Sequence, residues 1–250
     1  MGRLEGKKAI VTGAGAGIGE SISVFFAREG ASVICIDLNG DTVKQTAAQI
    51  NDAGGTAIAV EADVANEQTF VDAVEMAKTE FGGLTTLVSN AIYDLPYVPI
   101  TEIPTEGWMR TMDVNLNATY FFCKHAIPVI ADSGGGSIIL VASQLGQVAR
   151  PGRPWYCAQK GGMINLARAL ALDHAKQNIR VNSLSPGPVE TGRYVKNFAS
   201  AEEARQNNFT LMERLGSPDE IAPGAVFLAS DESSFMTGSD LLIDGGYTAV

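Results

Sequence analysis

Tyr156 and Lys160 stand four residues apart, a spacing that puts a phenol and an ammonium on one face of a helix, one turn apart. An ammonium beside a phenol favours tyrosinate and draws the phenol pKa down from its ordinary value of about 10. Tyr156 is therefore a candidate acid/base near neutral pH. Ser143, upstream of it, closes the apolar run Ser137-Ile138-Ile139-Leu140-Val141-Ala142, where its hydroxyl could hydrogen-bond a carbonyl or carbinol oxygen. A Tyr-x-x-x-Lys spacing alone is commonplace and usually marks a surface pair, so the rest of the chain decides what this one does.

Near the N-terminus an apolar run ends in Thr12-Gly13-Ala14-Gly15-Ala16-Gly17-Ile18-Gly19 and a helical pattern follows at once. Alternating glycines let the backbone turn tightly and approach a ligand, while the N–H groups and dipole of the helix start attract an anion. The spacing is not that of the plain dinucleotide fingerprint, since Ile18 takes the place of its third glycine, and Glu20 excludes a P-loop. The next apolar run, Val33-Ile34-Cys35-Ile36, ends at Asp37, where a carboxylate can accept hydrogen bonds from adenosine ribose hydroxyls. That carboxylate repels a 2′-phosphate, and no Arg or Lys occupies 14–19 or 38–41 to attract one, so the expected cofactor is NAD rather than NADP. Asp63-Val64 would set a further polar group beside the adenine.

The elements that must hold these residues alternate along the chain. Expected strands are Ala9–Thr12, Ser32–Ile36, Thr56–Val60, Thr85–Ser89, Ser137–Ala142, Arg180–Leu184 and Asp240–Ile243; expected helices are Gly17–Arg28, Thr42–Asn51, Glu67–Phe81, Thr105–Ile130, Tyr156–Lys176 and Pro218–Ala229. Mostly continuous apolar strands separated by helices indicate an α/β protein with a parallel sheet covered on both faces. No linker or repeat divides the 250 residues, so one domain spanning 1–250 is expected, with substrate loops at about 92–103 and 186–215. With 28 acidic against 18 basic residues, a net charge of −10 argues against a nucleic-acid or anionic-membrane partner. No apolar run approaches the roughly 18 residues of a membrane span. The three cysteines, Cys35, Cys123 and Cys157, read as reduced thiols of a cytoplasmic protein.

Taken together, Thr12-Gly13-x-x-x-Gly17-Ile18-Gly19, Asn90-Ala91, Asn115, Ser143, Tyr156-x-x-x-Lys160 and Pro186-Gly187-x-Val189-x-Thr191 resemble the short-chain dehydrogenase/reductase (SDR) family over essentially the whole chain. The resemblance implies a Rossmann-type, doubly wound sheet of seven parallel strands in a three-layer αβα arrangement, a homotetramer, and a catalytic tetrad of Asn115, Ser143, Tyr156 and Lys160. In that family Tyr is the acid/base, Ser positions the substrate oxygen, Lys binds the nicotinamide ribose and lowers the Tyr pKa, and Asn holds a water of the proton relay. Expected cofactor contacts are Gly13, Ala16, Gly17, Ile18, Gly19, Asp37, Leu38, Asp63, Val64, Asn90 and Ala91, then Tyr156, Lys160, Pro186, Gly187, Val189 and Thr191. The chain departs from the family with Thr85 where Asp is usual, and with Ser89-Asn90-Ala91-Ile92 where Asn-Asn-Ala-Gly is usual. Ile92 is expected to reshape the pocket near the nicotinamide.

The implied reaction is hydride transfer between a small secondary alcohol and its ketone, with a hydroxy acid, diol or sugar as candidate substrates. Other readings are a carbonyl or 3-oxoacyl reductase using NADPH, a cyclic diol dehydrogenase, and an NAD-binding redox sensor, although a sensor would be expected to lose the tyrosine. Gln144, Arg153, Trp155 and Arg193 are candidate substrate residues, and an arginine three residues before Tyr156 could take a carboxylate in its fork. Arg153 reads equally well as a solvated loop residue or an interface pair. No protein metal site is expected, because His125 and His174 have no Cys or carboxylate at ligand spacing.

Overall fold

The computed structural model describes residues 2–207 and 209–249. The strands are β1 (Lys8–Thr12), β2 (Ser32–Asp37), β3 (Thr56–Glu61), β4 (Thr86–Ser89), β5 (Gly136–Val141), β6 (Ile179–Pro186) and β7 (Asp240–Ile243). They form one seven-stranded sheet in the order β3-β2-β1-β4-β5-β6-β7, and every pairing is parallel. The order reverses direction between β1 and β4, the switch point at which open α/β sheets leave a crevice outside the carboxyl ends of their strands.

Helices cover both faces: α1 (Gly17–Arg28), α2 (Gly40–Asp52), α3 (Glu67–Phe81), α4 (Thr105–Met112), α5 (Ala118–Asp132), α6 (Pro154–His174), two short helices α7 (Gly192–Val195) and α8 (Ala201–Gln206), and α9 (Pro218–Ala229). Because successive strand residues point to opposite faces, each strand feeds two cores. Ala9 and Val11 of β1, with Ile139 and Val141 of β5, pack under α1, α2 and α9; Ile10, Ile138 and Leu140 pack under α3, α5 and α6. This is why the strands read as unbroken apolar runs. In the second core the rings of Phe70 and Phe122 stack at 4.7 Å. Cys35 and Cys123 are buried, and burial pushes their thiols up, to about 11 and about 12. No described helix is long and apolar enough to cross a membrane.

Most element ends fall within two residues of the expected ones, and two of the differences have a clear physical reason. The stretch expected as one helix from Thr105 to Ile130 is interrupted by a π-helical turn at Asp113–Asn117, in which the Ala118 N–H reaches back to the Asp113 carbonyl. Such wide turns insert one residue into a helix and tend to mark functional positions. The helix carrying Tyr156 starts two residues earlier, at Pro154, whose fixed φ and missing N–H suit the first turn.

Candidate active site

The glycine turn links β1 to α1 at the switch point. Gly13 and Gly17 take φ values of 66° and 59°, the left-handed region that side chains avoid. A Cβ on Gly19 would lie 2.0 Å from the Gly13 carbonyl oxygen, and one on Gly15 would lie 2.4 Å from Thr42 Oγ1. Ala16, the N-cap of α1, provides no side-chain capping bond, so the first N–H groups of the helix are left for an anionic ligand. Asn90 ties the end of β4 to this turn: its Nδ2 donates to the carbonyls of Thr12 at 3.0 Å and Gly13 at 3.2 Å. Thr12 Oγ1 in turn accepts from the N–H groups of Asn90 and Ala91.

Asp37, at the end of β2, accepts the Gly15 N–H on Oδ2 and the Asn39 N–H on Oδ1, each at 2.9 Å. A cavity of about 280 Å³ runs past it and past Ala16, Gly17, Ile18 and Ala91 to Ser143, Tyr156 and Lys160. Pro186, Gly187, Val189 and Thr191 form its wall on the β6 side. Gly19 lies behind the turn, Leu38 is exposed, and Val64 is packed in the second core. Asp63 is held by Arg110 at 2.7 Å. These four expected cofactor residues do not line the cavity.

At the other end, Tyr156 and Lys160 sit one turn apart on α6, both buried. Lys160 Nζ donates to the Val141 carbonyl at 2.6 Å and lies 5.7 Å from the Tyr156 ring centroid. Burial pulls the ammonium down to about 8, against the opposing pull of the phenolate. For Tyr156, burial pushes the phenol up, but the charges of Arg193 and Lys160, the adjacent Ser143 hydroxyl and the charge of Arg153 outweigh it. The phenol therefore lies below its ordinary value. Ser143 Oγ donates to Gln144 Oε1 at 2.7 Å, and both residues face the cavity.

Asn115 reaches the site indirectly. In the π turn its Oδ1 accepts the Tyr93 N–H at 2.7 Å, while Nδ2 donates to the Tyr93 carbonyl and to Gln159 Oε1. It clamps the loop after β4 to α6 and does not line the cavity. Trp155 is fully buried, edge-on to Tyr156 at 5.4 Å, and stands behind the tyrosine rather than in the cavity wall.

Asp94, which its sequence surroundings do not single out, is almost completely enclosed. Its Oδ1 pairs with Arg153 Nη1 at 3.0 Å and its Oδ2 with Arg193 Nη1 at 3.3 Å. The Arg153 guanidinium also lies 4.2 Å from the Tyr97 ring centroid and 4.4 Å from that of Tyr156. Arg150 stacks between Tyr97 and Phe209. Gln159, also unanticipated, passes the Asn115 contact on to Thr111.

Residues 13–248 match the family model described as enoyl-(acyl carrier protein) reductase. The chain is 37% identical to a cyclohexanol dehydrogenase of an Acinetobacter species, covering 99% of this chain and 97% of that one. It is 39% identical to a 2,5-dichloro-2,5-cyclohexadiene-1,4-diol dehydrogenase of Sphingobium indicum, covering 98% of each. A crystal structure described as that of a putative short-chain dehydrogenase/reductase from Burkholderia xenovorans superposes with a TM-score of 0.93 at 34% identity, covering 100% of this chain and 99% of that one. With the sheet order, the glycine turn and the Ser143–Tyr156–Lys160 cluster, these matches place the chain in the short-chain dehydrogenase/reductase family, whose dehydrogenases use NAD(P).

Proposed function

We propose that the protein is an NAD-dependent dehydrogenase interconverting a compact secondary alcohol and its ketone, with Tyr156 as acid/base. The observation that carries this reading is the buried Tyr156–Lys160 pair, surrounded by cations and opening onto the same cavity as the uncapped glycine turn. The residues suit a dinucleotide: the start of α1 offers N–H groups to a pyrophosphate, and Asp37 stands where adenosine ribose hydroxyls would be held. NAD, when bound, supplies the hydride acceptor. Asp37 favours NAD over NADP, since its carboxylate repels a 2′-phosphate.

In the oxidative direction Tyr156 Oη removes the carbinol proton as the carbonyl forms. Ser143 Oγ turns from Gln144 to the substrate oxygen and fixes it beside the phenol. Lys160, anchored on the Val141 carbonyl, stabilises the phenolate, and Asn115 keeps the opposite wall in place. Ile92, Leu145 and Tyr247 give the substrate end an apolar lining, which favours a small ring or branched skeleton of the kind named for the cyclohexanol and cyclohexadiene-diol relatives. The same reading includes a cytoplasmic homotetramer acting chiefly in oxidation, because the cellular NAD pool is mostly oxidised.

The test is the near-ultraviolet absorbance of reduced nucleotide, followed with NAD or NADP and a panel of secondary alcohols and diols, both neutral and carboxylated. We expect turnover with NAD at least about tenfold above NADP, a difference of about 1.4 kcal/mol. Preference for NADP would instead support a reductase. Absence of reduced nucleotide with every alcohol would leave a nucleotide-binding sensor.

A further inference from the structure

The cavity wall around Tyr156 has an excess of positive charge. Among its described lining residues are Arg150, Arg153, Lys160 and Arg193, and the only acid is Asp37, at the β2 end and already holding two backbone N–H groups. Behind the wall Asp94 supplies one carboxylate to two guanidiniums. Three arginines and one aspartate leave two positive charges unbalanced around an apolar substrate space, in a protein whose overall charge is −10.

The arginines are not equivalent. Arg153 is enclosed, with 5% of its side chain exposed, its Nη1 on Asp94 and two rings within 4.4 Å. Its Nε is buried without a hydrogen-bond partner, so this guanidinium is held at a cost. Arg193 keeps 31% of its side chain exposed, makes a longer contact to Asp94, and lies 5.8 Å from the Tyr156 ring centroid. It is carried by the short helix α7, at the rim of the cavity. A guanidinium fork matches a planar carboxylate in a way a point charge does not.

Resting on the dehydrogenase reading above, we infer that the preferred substrates are secondary alcohols carrying a carboxylate close to the carbinol, received by Arg193, with Asp94 and Arg153 holding that arginine in position. The carboxylate must be near the reacting carbon because Arg193 and Tyr156 border the same small space. Asp94 prevents Arg193 from folding away into solvent yet neutralises only part of the local charge.

The test has a binding arm and a turnover arm. With the NADH-loaded enzyme, calorimetry compares cyclohexanecarboxylate with its neutral isostere cyclohexanecarboxamide. We expect the carboxylate to bind at least tenfold more tightly, Arg193→Gln to abolish that preference, and Arg193→Lys to retain part of it. In turnover, β-hydroxybutyrate is compared with sec-butanol, and the ratio of their kcat/KM values should fall at least tenfold in Arg193→Gln. Equal binding of acid and amide by the native enzyme overturns the inference. So does an Arg193→Gln variant that weakens both probes alike, or one that loses NADH affinity while keeping the carboxylate preference. Neutral alcohols oxidised as well as their acids would overturn the inference and leave the dehydrogenase reading intact. Carboxylate binding at Arg193 with no alcohol oxidised would overturn that reading instead.

Discussion

A phenol that burial should make less acidic is made more acidic by its neighbours, and this sets the chemistry at the residue scale. Tyr156→Phe, which keeps the ring and its packing, should lower kcat by about 10²–10⁴-fold, the usual worth of a positioned acid/base. The rate of alcohol oxidation should rise with pH as the phenol ionises. Lys160→Met removes a cation that favours the phenolate, so that limb should move to higher pH in a kcat/KM profile; an unmoved limb would mean that another group titrates. At the other end of the cavity, Asp37→Ser combined with Leu38→Arg removes the repulsive carboxylate and adds a cation. We expect the ratio of NADP to NAD use to rise by at least tenfold, read from kcat/KM for each nucleotide. The same change releases the Gly15 N–H, so some loss of affinity for both nucleotides should accompany the switch.

At the scale of elements, α9 shows how local signals fix a boundary. Ser217 and Glu220 form a reciprocal capping box, and Arg214 grips Glu220 from the preceding segment at 2.6 Å. These contacts lower the Glu220 carboxyl from 4.5 to about 2, with the Arg214 hydrogen bond the largest cause. Since the folded-state value is the depressed one, the stabilisation is present above pH 4.5 and is lost as the pH falls towards 2. Glu220 is half exposed, so solvent screening keeps this below about 1 kcal/mol. Glu220→Gln should lower the Tm at neutral pH and by less near pH 2, followed by circular dichroism. The bounds of α9, expected and found at Pro218 and Ala229, were legible because the signals that set them lie within one turn of sequence. The seven strands and the glycine turn were legible for the same reason, their signals being local. The π turn was not: what stabilises it is a contact between Asn115 and Gln159, 44 residues on. Asp94 was hidden likewise, as its arginines lie 59 and 99 residues away. Trp155, beside the catalytic tyrosine in sequence, was expected at the substrate and lies behind Tyr156, because neighbours on a helix face different directions.

At the scale of the molecule, large apolar side chains remain exposed on the helices and the C-terminal region through which a tetramer would form: Tyr120 on α5, Leu172 on α6 and Phe235 before β7. Leu172 is 84% exposed and Phe235 fully so. If subunits cover them, the Tm should rise with protein concentration by mass action, and sedimentation should give a species of four chains. Leu172→Glu should shift that species towards smaller ones while Phe235→Asp acts at a separate contact. The division of the core by the sheet has one more consequence. Ile138 and Ile139 are joined by a peptide bond yet belong to different cores. Energetic neighbourhood therefore runs across the chain rather than along it, and truncations at these two positions should add with little interaction between them, as though made in separate proteins. Each face of this fold can drift in sequence on its own, provided the carboxyl edge they share keeps its shape.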